Sequence, residues 1–124
     1  MNDTARTSSQ FIPVIVGGKS GTRTAKRLFW QHGLSSHLFT PHITPLHRLT
    51  PWLICHRLPA SPTLTVLALC DLAAEIEAVD RIPLLYLCDD APSLDQEYMR
   101  HLESCYILCR QVDPPIMQKG GQAV

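Results

Sequence analysis

The chain has 124 residues, 45% of them hydrophobic and 18% charged, with a formal net charge of zero. That length suits one domain with one real core, and the apolar content is that of a folded protein rather than a disordered one. No run approaches the roughly 20 apolar residues that cross a bilayer, and five cysteines, an odd number set mostly within apolar runs, exclude a disulfide scaffold.

The first ten residues are polar, without the apolar core of a secretory signal, and read as a flexible lead. With reduced thiols this predicts a cytoplasmic protein. Phe11 to Val16 is a short, β-branched apolar run ending at Gly17-Gly18, which predicts a buried first strand; Pro13 inside it suits a strand start or edge. A helix follows from about Thr22 to His32, with Ala25, Leu28 and Phe29 on one face, Arg23, Lys26 and Arg27 largely elsewhere, and Gly33 at the C-cap position. Ser36 to Thr40 reads as a second strand, Pro41 to Pro51 as a loop with three prolines, and Trp52 to His56 as a third strand. Thr63 to Val79 is the clearest helix. Pro83 to Cys88 is a fourth, nearly continuous apolar strand. The turn Asp89-Asp90-Ala91-Pro92-Ser93 leads into a helix over about 94–102, and Cys105 to Cys109 reads as a fifth strand. Residues 11–112 thus form the predicted domain and 113–124 a tail.

Buried strands alternating with helices predict an α/β fold: a single open, mostly parallel, Rossmann-like sheet of about five strands with helices on both faces. Ligands of such sheets sit beyond the carboxyl ends of the strands, here at 17–22, after Thr40, and at 88–92. Charge is unevenly laid out. Residues 1–60 carry seven Lys/Arg against one Asp, and residues 61–124 four against ten Asp/Glu, so the halves carry +6 and −6. A basic half suits a phosphate or an acidic partner, or is simply a solvated helix face. No aromatic-plus-basic motif of the common nucleic-acid modules is present, so no nucleic-acid partner and no membrane partner is expected.

The loop Gly17, Gly18, Lys19, Ser20, Gly21, Thr22 joins a strand to a helix, where backbone N–H groups and the helix dipole favour a substrate or other anion. It fits neither a Walker loop, which needs glycine at Pro13, nor the dinucleotide fingerprint, which needs glycine at Val16. The other reading of these residues is a tight turn that lets the helix pack on the sheet. Asp89 and Asp90 reach the same rim. There they either orient an amine, a ribose hydroxyl or a metal, or serve as turn and cap residues. Cys105 and Cys109, four apart on a predicted strand, would lie about 13 Å from each other, too far to share a metal or a disulfide. All five cysteines read as core. Histidines at 32, 37, 42 and 47 recur every five residues and share no face of a helix or strand; loops would have to gather His42, His47 and His56 to bind zinc. No catalytic residue and no metal ligand is assigned.

The segment from Phe11 to Gly18 with its helix ending Trp30-Gln31-His32-Gly33, the run from Ile82 to Asp90, and Tyr106 to Cys109 together resemble the N-terminal, pre-ATP-grasp domain of ATP-grasp carboxylate–amine ligases. The resemblance implies a Rossmann-like substrate-side domain, with Gly17, Gly18, Ser20 and Thr22 on the substrate side and Asp89 and Asp90 opposite. It implies ATP and magnesium only for separate ATP-grasp lobes, which would begin near the tail, and no cofactor within this chain. Such a domain would not be catalytically competent alone. It would present apolar surface at the carboxyl edge and at residues 114–117 to its catalytic lobes or partner chain. The alternatives are a free-standing nucleotide- or anion-binding module using residues 17–22, or a ligand-free interaction protein whose charge split drives self-association.

Overall fold

In the computed structural model, the structure describes residues 10–109. The expected features at residues 1–9, 110–112 and 113–124, the apolar segment 114–117 included, lie outside them. The elements alternate along the chain: β1 (Phe11–Val16), α1 (Lys19–His32), β2 (Ser36–Thr40), a one-turn α2 (Pro45–Arg48), β3 (Leu53–Arg57), α3 (Pro62–Ala78), β4 (Ile82–Leu87), α4 (Gln96–Cys105) and β5 (Ile107–Cys109). The five strands form one open, all-parallel sheet in the order β3-β2-β1-β4-β5. This is the Rossmann-like α/β architecture that the alternation of buried strands and helices predicts, and its strand order reverses between β1 and β4.

The pleat sends alternate residues to opposite faces and builds two cores. On one face Ile15, Leu38, Leu53, Leu84 and Tyr86 pack on Ala25 and Leu28 of α1. On the other, Val14, Val16, Phe39 and Leu85 pack on Val66, Leu69, Leu72, Ala73 and Ile76 of α3 and on Leu102 of α4. Helix α1 approaches closely because Gly21 faces the sheet. A Cβ there would sit 2.8 Å from Leu38 Cδ1.

Pro13 lies in the central strand, not at an edge. The neighbouring bonds explain how. Gly17 N–H donates to Phe39 C=O on β2, whereas Val16 C=O accepts from Cys88 N–H beyond β4. Odd residues of β1 therefore face β2. The β1–β2 pairing begins only at Val14 and His37, so the N–H that proline lacks falls just before that ladder starts.

Several boundaries differ from the sequence reading. Helix α1 begins at Lys19, not Thr22, although its N-cap Gly18 has no capping side chain. Its end is as expected: Gly33 takes φ 68°, and the N–H groups of Gly33 and Leu34 reach Phe29 and Leu28 C=O. The proline-rich stretch 41–51 is not all loop. Thr44 caps α2, its hydroxyl accepting from His47 N–H, with Pro45 at the first helical position. The cap of α4 is Asp95, whose carboxylate accepts from Tyr98 N–H, rather than the 89–93 turn. Cys105 consequently completes α4 instead of opening β5, and Cys105 and Cys109 share no strand. Asp95→Ala should destabilise the domain by about 1 kcal/mol, as read by urea denaturation, because it strips this cap from an amphipathic ten-residue helix.

Candidate functional site

The carboxyl ends of β1, β2 and β4 meet at the start of α1. A long-range clasp closes them. Asp90, 70 residues on in the chain, accepts from Ser20 N–H and from the Ser20 hydroxyl, each at 3.2 Å. It supplies the cap that Gly18 cannot. Burial alone would raise the Asp90 carboxyl, but the Ser20 and Gly18 backbone N–H groups and the Ser20 hydroxyl together hold it below the usual carboxylate value. Gly17 is the glycine this closure requires. A Cβ on it would lie 2.6 Å from Asp90 Oδ1 and 2.9 Å from Cys88 Cβ. The seat that the helix N-terminus offers to a ligand anion is thus taken by the chain's own carboxylate. Asp89, next to it, is exposed.

Beside the clasp, on the β2 side, lies an open groove of about 430 Å³. Helix α1 supplies one wall with Gly18, Lys19, Thr22, Arg23 and Lys26; the segment after β2 supplies the other with Thr40, Pro41, His42, Thr44 and His47. Lys19, Arg23 and Lys26 are spaced i, i+4 and i+7, so they share one edge of the helix. No carboxylate is among the lining residues. The result is a groove of ligand size with three permanent positive charges, and it lies where a parallel sheet puts its ligands.

A chain of hydrogen bonds fixes the far wall. Thr44 N–H donates to His47 Nδ1 at 3.1 Å, so the neutral ring carries its proton on Nε2. Nε2 meets Thr22 Oγ1 at 3.0 Å, and the Thr22 hydroxyl donates to Gly18 C=O at 3.4 Å. In that sense the bonds run one way, and they tie α2 to the first turn of α1.

Of the residues expected at the site, Gly18, Lys19 and Thr22 line the groove. Gly17, Ser20 and Asp90 form the clasp, and Gly21 packs against the sheet. Sequence reasoning did not assign Arg23, Lys26, Thr40, His42, Thr44 and His47 to the site. The i, i+4, i+7 cation pattern was the available signal.

The histidines divide. His42 and His47 join the groove, but His56 does not: its Nε2 lies 2.9 Å from Nδ1 of His37, and its ring stacks on Phe39. Among the described residues no three His, Cys, Asp or Glu side chains gather as a metal cluster. Burial, with the His56 charge, pushes His37 down to about 4; burial also lowers His56, against the pull of Glu75. A histidine with a depressed folded pKa takes up its proton more readily in the unfolded chain. Its contribution is therefore full above the unfolded value near 6.5 and is lost as pH falls from there toward about 4. Allowing for solvent screening, the loss should be about 1–2 kcal/mol. Urea midpoints should fall between pH 7.5 and pH 4.5, and His37→Gln should flatten that fall.

A second cavity of about 330 Å³ lies at the opposite, amino end of the sheet, between Phe11, Leu34, Ile54 and Arg81, away from the ligand edge. No helix among the described residues is long and apolar enough to cross a membrane. Comparison with protein-family models, with curated proteins and with solved structures finds no match to this chain.

Proposed function

We propose that the domain binds a small, multiply charged anion, a phosphate monoester in chemical class, in the groove between α1 and the segment after β2. The observation that carries this is the row Lys19, Arg23 and Lys26 facing a groove whose lining holds no carboxylate. The volume suits a nucleotide-sized molecule. Asp90 narrows the choice. It occupies the helix N-terminus at which dinucleotides lay their pyrophosphate, so the phosphate belongs on the Lys19–Lys26 side. Thermal unfolding with adenosine 5′-monophosphate, inorganic pyrophosphate and neutral adenosine tests the reading. A ligand at a hundred-fold excess over its Kd adds about 2.7 kcal/mol of stability. The anions should raise Tm, less so at high salt, and adenosine should not; no anion-dependent rise would remove the proposal.

A narrower reading is that this site belongs to the substrate-side domain of an ATP-dependent carboxylate–amine ligase, with ATP and magnesium held by separate ATP-grasp lobes. Two features favour it. Two of the three segments that carry the resemblance meet in space through Ser20 and Asp90. Leu46 in α2 and Leu49 at its C-cap, neighbours in sequence of the groove-lining His47, are 69% and 79% exposed, as a docking surface for such lobes would be. Sequencing the DNA on both sides of this coding frame tests it: adjoining ATP-grasp lobes support the reading, and their absence from both sides removes it.

A further inference from the structure

Helices α3 and α4 bring together two cysteines that lie 35 residues apart in the chain. Cys70 Sγ and Cys105 Sγ are 3.4 Å apart, and both side chains are part-exposed. A fixed contact flanks the pair. The Tyr106 hydroxyl, next to Cys105, donates to the Leu69 carbonyl, next to Cys70, at 2.5 Å. Tyr106 is buried, and its own N–H is bonded to Leu102 C=O at 2.8 Å. The backbones carrying the two sulfurs are thus held by a bond that does not involve the sulfurs. Among the described residues the other cysteines are placed differently: Cys88 faces Thr24, Cys109 reaches Ile107 C=O, and Cys55 packs against the core on the α1 side of the sheet.

We propose that Cys70 and Cys105 form an oxidative modification site, a dithiol that a small-molecule disulfide converts to an intramolecular disulfide stapling α3 to α4. The exchange balances. One protein thiolate attacks the small disulfide, forming a mixed disulfide and releasing one small thiolate. The second protein thiolate attacks the protein sulfur of that mixed disulfide and releases the other. Two protein thiols are oxidised, one small disulfide is reduced to two small thiols, and two protons pass between them. Burial, the hydrogen bond with Cys105 and the neighbouring negative groups push the Cys70 thiol up to about 11. With the Cys70 thiol held protonated, the exchange is slow at neutral pH. The staple closes a long loop in the unfolded chain, so the oxidised protein is the more stable form.

The test uses the full-length reduced protein, incubated with oxidised glutathione at pH 8, alkylated and mapped by mass spectrometry. Cys105 and Cys109 share the tryptic peptide His101–Arg110, so Cys109→Ser is mapped beside the wild type. The expected result is a peptide linked through Cys70 and Cys105, with a Tm at least 5 °C above that of the reduced protein. Cys70→Ser should instead trap glutathione on Cys105. A variant with Cys55, Cys88 and Cys109 all replaced by serine should still form the link. If that variant does not fold, the wild-type and Cys109→Ser maps decide alone. Full alkylation of both thiols after incubation, or links no more frequent for this pair than for the other three cysteines, would overturn the proposal.

Discussion

Gly17→Val is expected to cost about 3 kcal/mol of unfolding free energy, far more than Gly18→Ala a single residue away. At Gly17 the added Cβ meets two obstacles. Asp90 Oδ1, at 2.6 Å, is the end of a movable side chain, but moving it opens the clasp and uncaps α1. Cys88 Cβ, at 2.9 Å, is carried on the backbone just after β4 and cannot retreat without shifting the strand that pairs with β1 along its whole length. The branched methyls then overfill a buried position. At Gly18 the nearest obstacle is Asp90 Oδ2 at 3.2 Å, so alanine there should cost less than 1 kcal/mol. Urea denaturation of the three proteins reads the difference. Equal losses at 17 and 18 would show that Asp90 and Cys88 do not close on this glycine.

The second large effect is on binding. Replacing both Arg23 and Lys26 by glutamine should weaken the groove's affinity for adenosine 5′-monophosphate about 30-fold, at about 1 kcal/mol for each charge lost. Stability should stay within about 0.5 kcal/mol of the parent, because both side chains are exposed and neither fills the core. Titration calorimetry at two salt concentrations checks this. The wild type should lose affinity with salt more steeply than the variant, because fewer charges remain to be screened. An unchanged affinity would place the anion elsewhere.

The physical reach of each signal explains how much was legible in the sequence. The strands were readable because buried parallel strands are short β-branched apolar runs, and their alternation with helices gave the sheet and its ligand edge. The start of α1 was not, because its cap comes from Asp90, 70 residues away. The one-turn helix α2 was hidden by the prolines around it, although Thr44 followed by Pro45 is a cap and first-turn pair. The same holds for the site. The cations of α1 share an edge by spacing alone, but their opposite wall, Thr40 to His47, comes near only through the parallel pairing of β1 with β2. The His37–His56 contact needs the β2–β3 register, which sets Phe39 against His56. The contact of Cys70 with Cys105 needs the packing of α3 on α4. Each of these is a product of topology, which local pattern does not encode.

The most direct test of the anion groove is a backbone amide NMR titration of the isotopically labelled protein with adenosine 5′-monophosphate. The account predicts saturable shifts concentrated at Gly18 to Lys26 and Thr40 to His47, with Ser20, whose N–H is already given to Asp90, moving less than Arg23 and Lys26. Shifts centred at the amino end of the sheet around Leu34 and Arg81, or none at millimolar ligand, would contradict it.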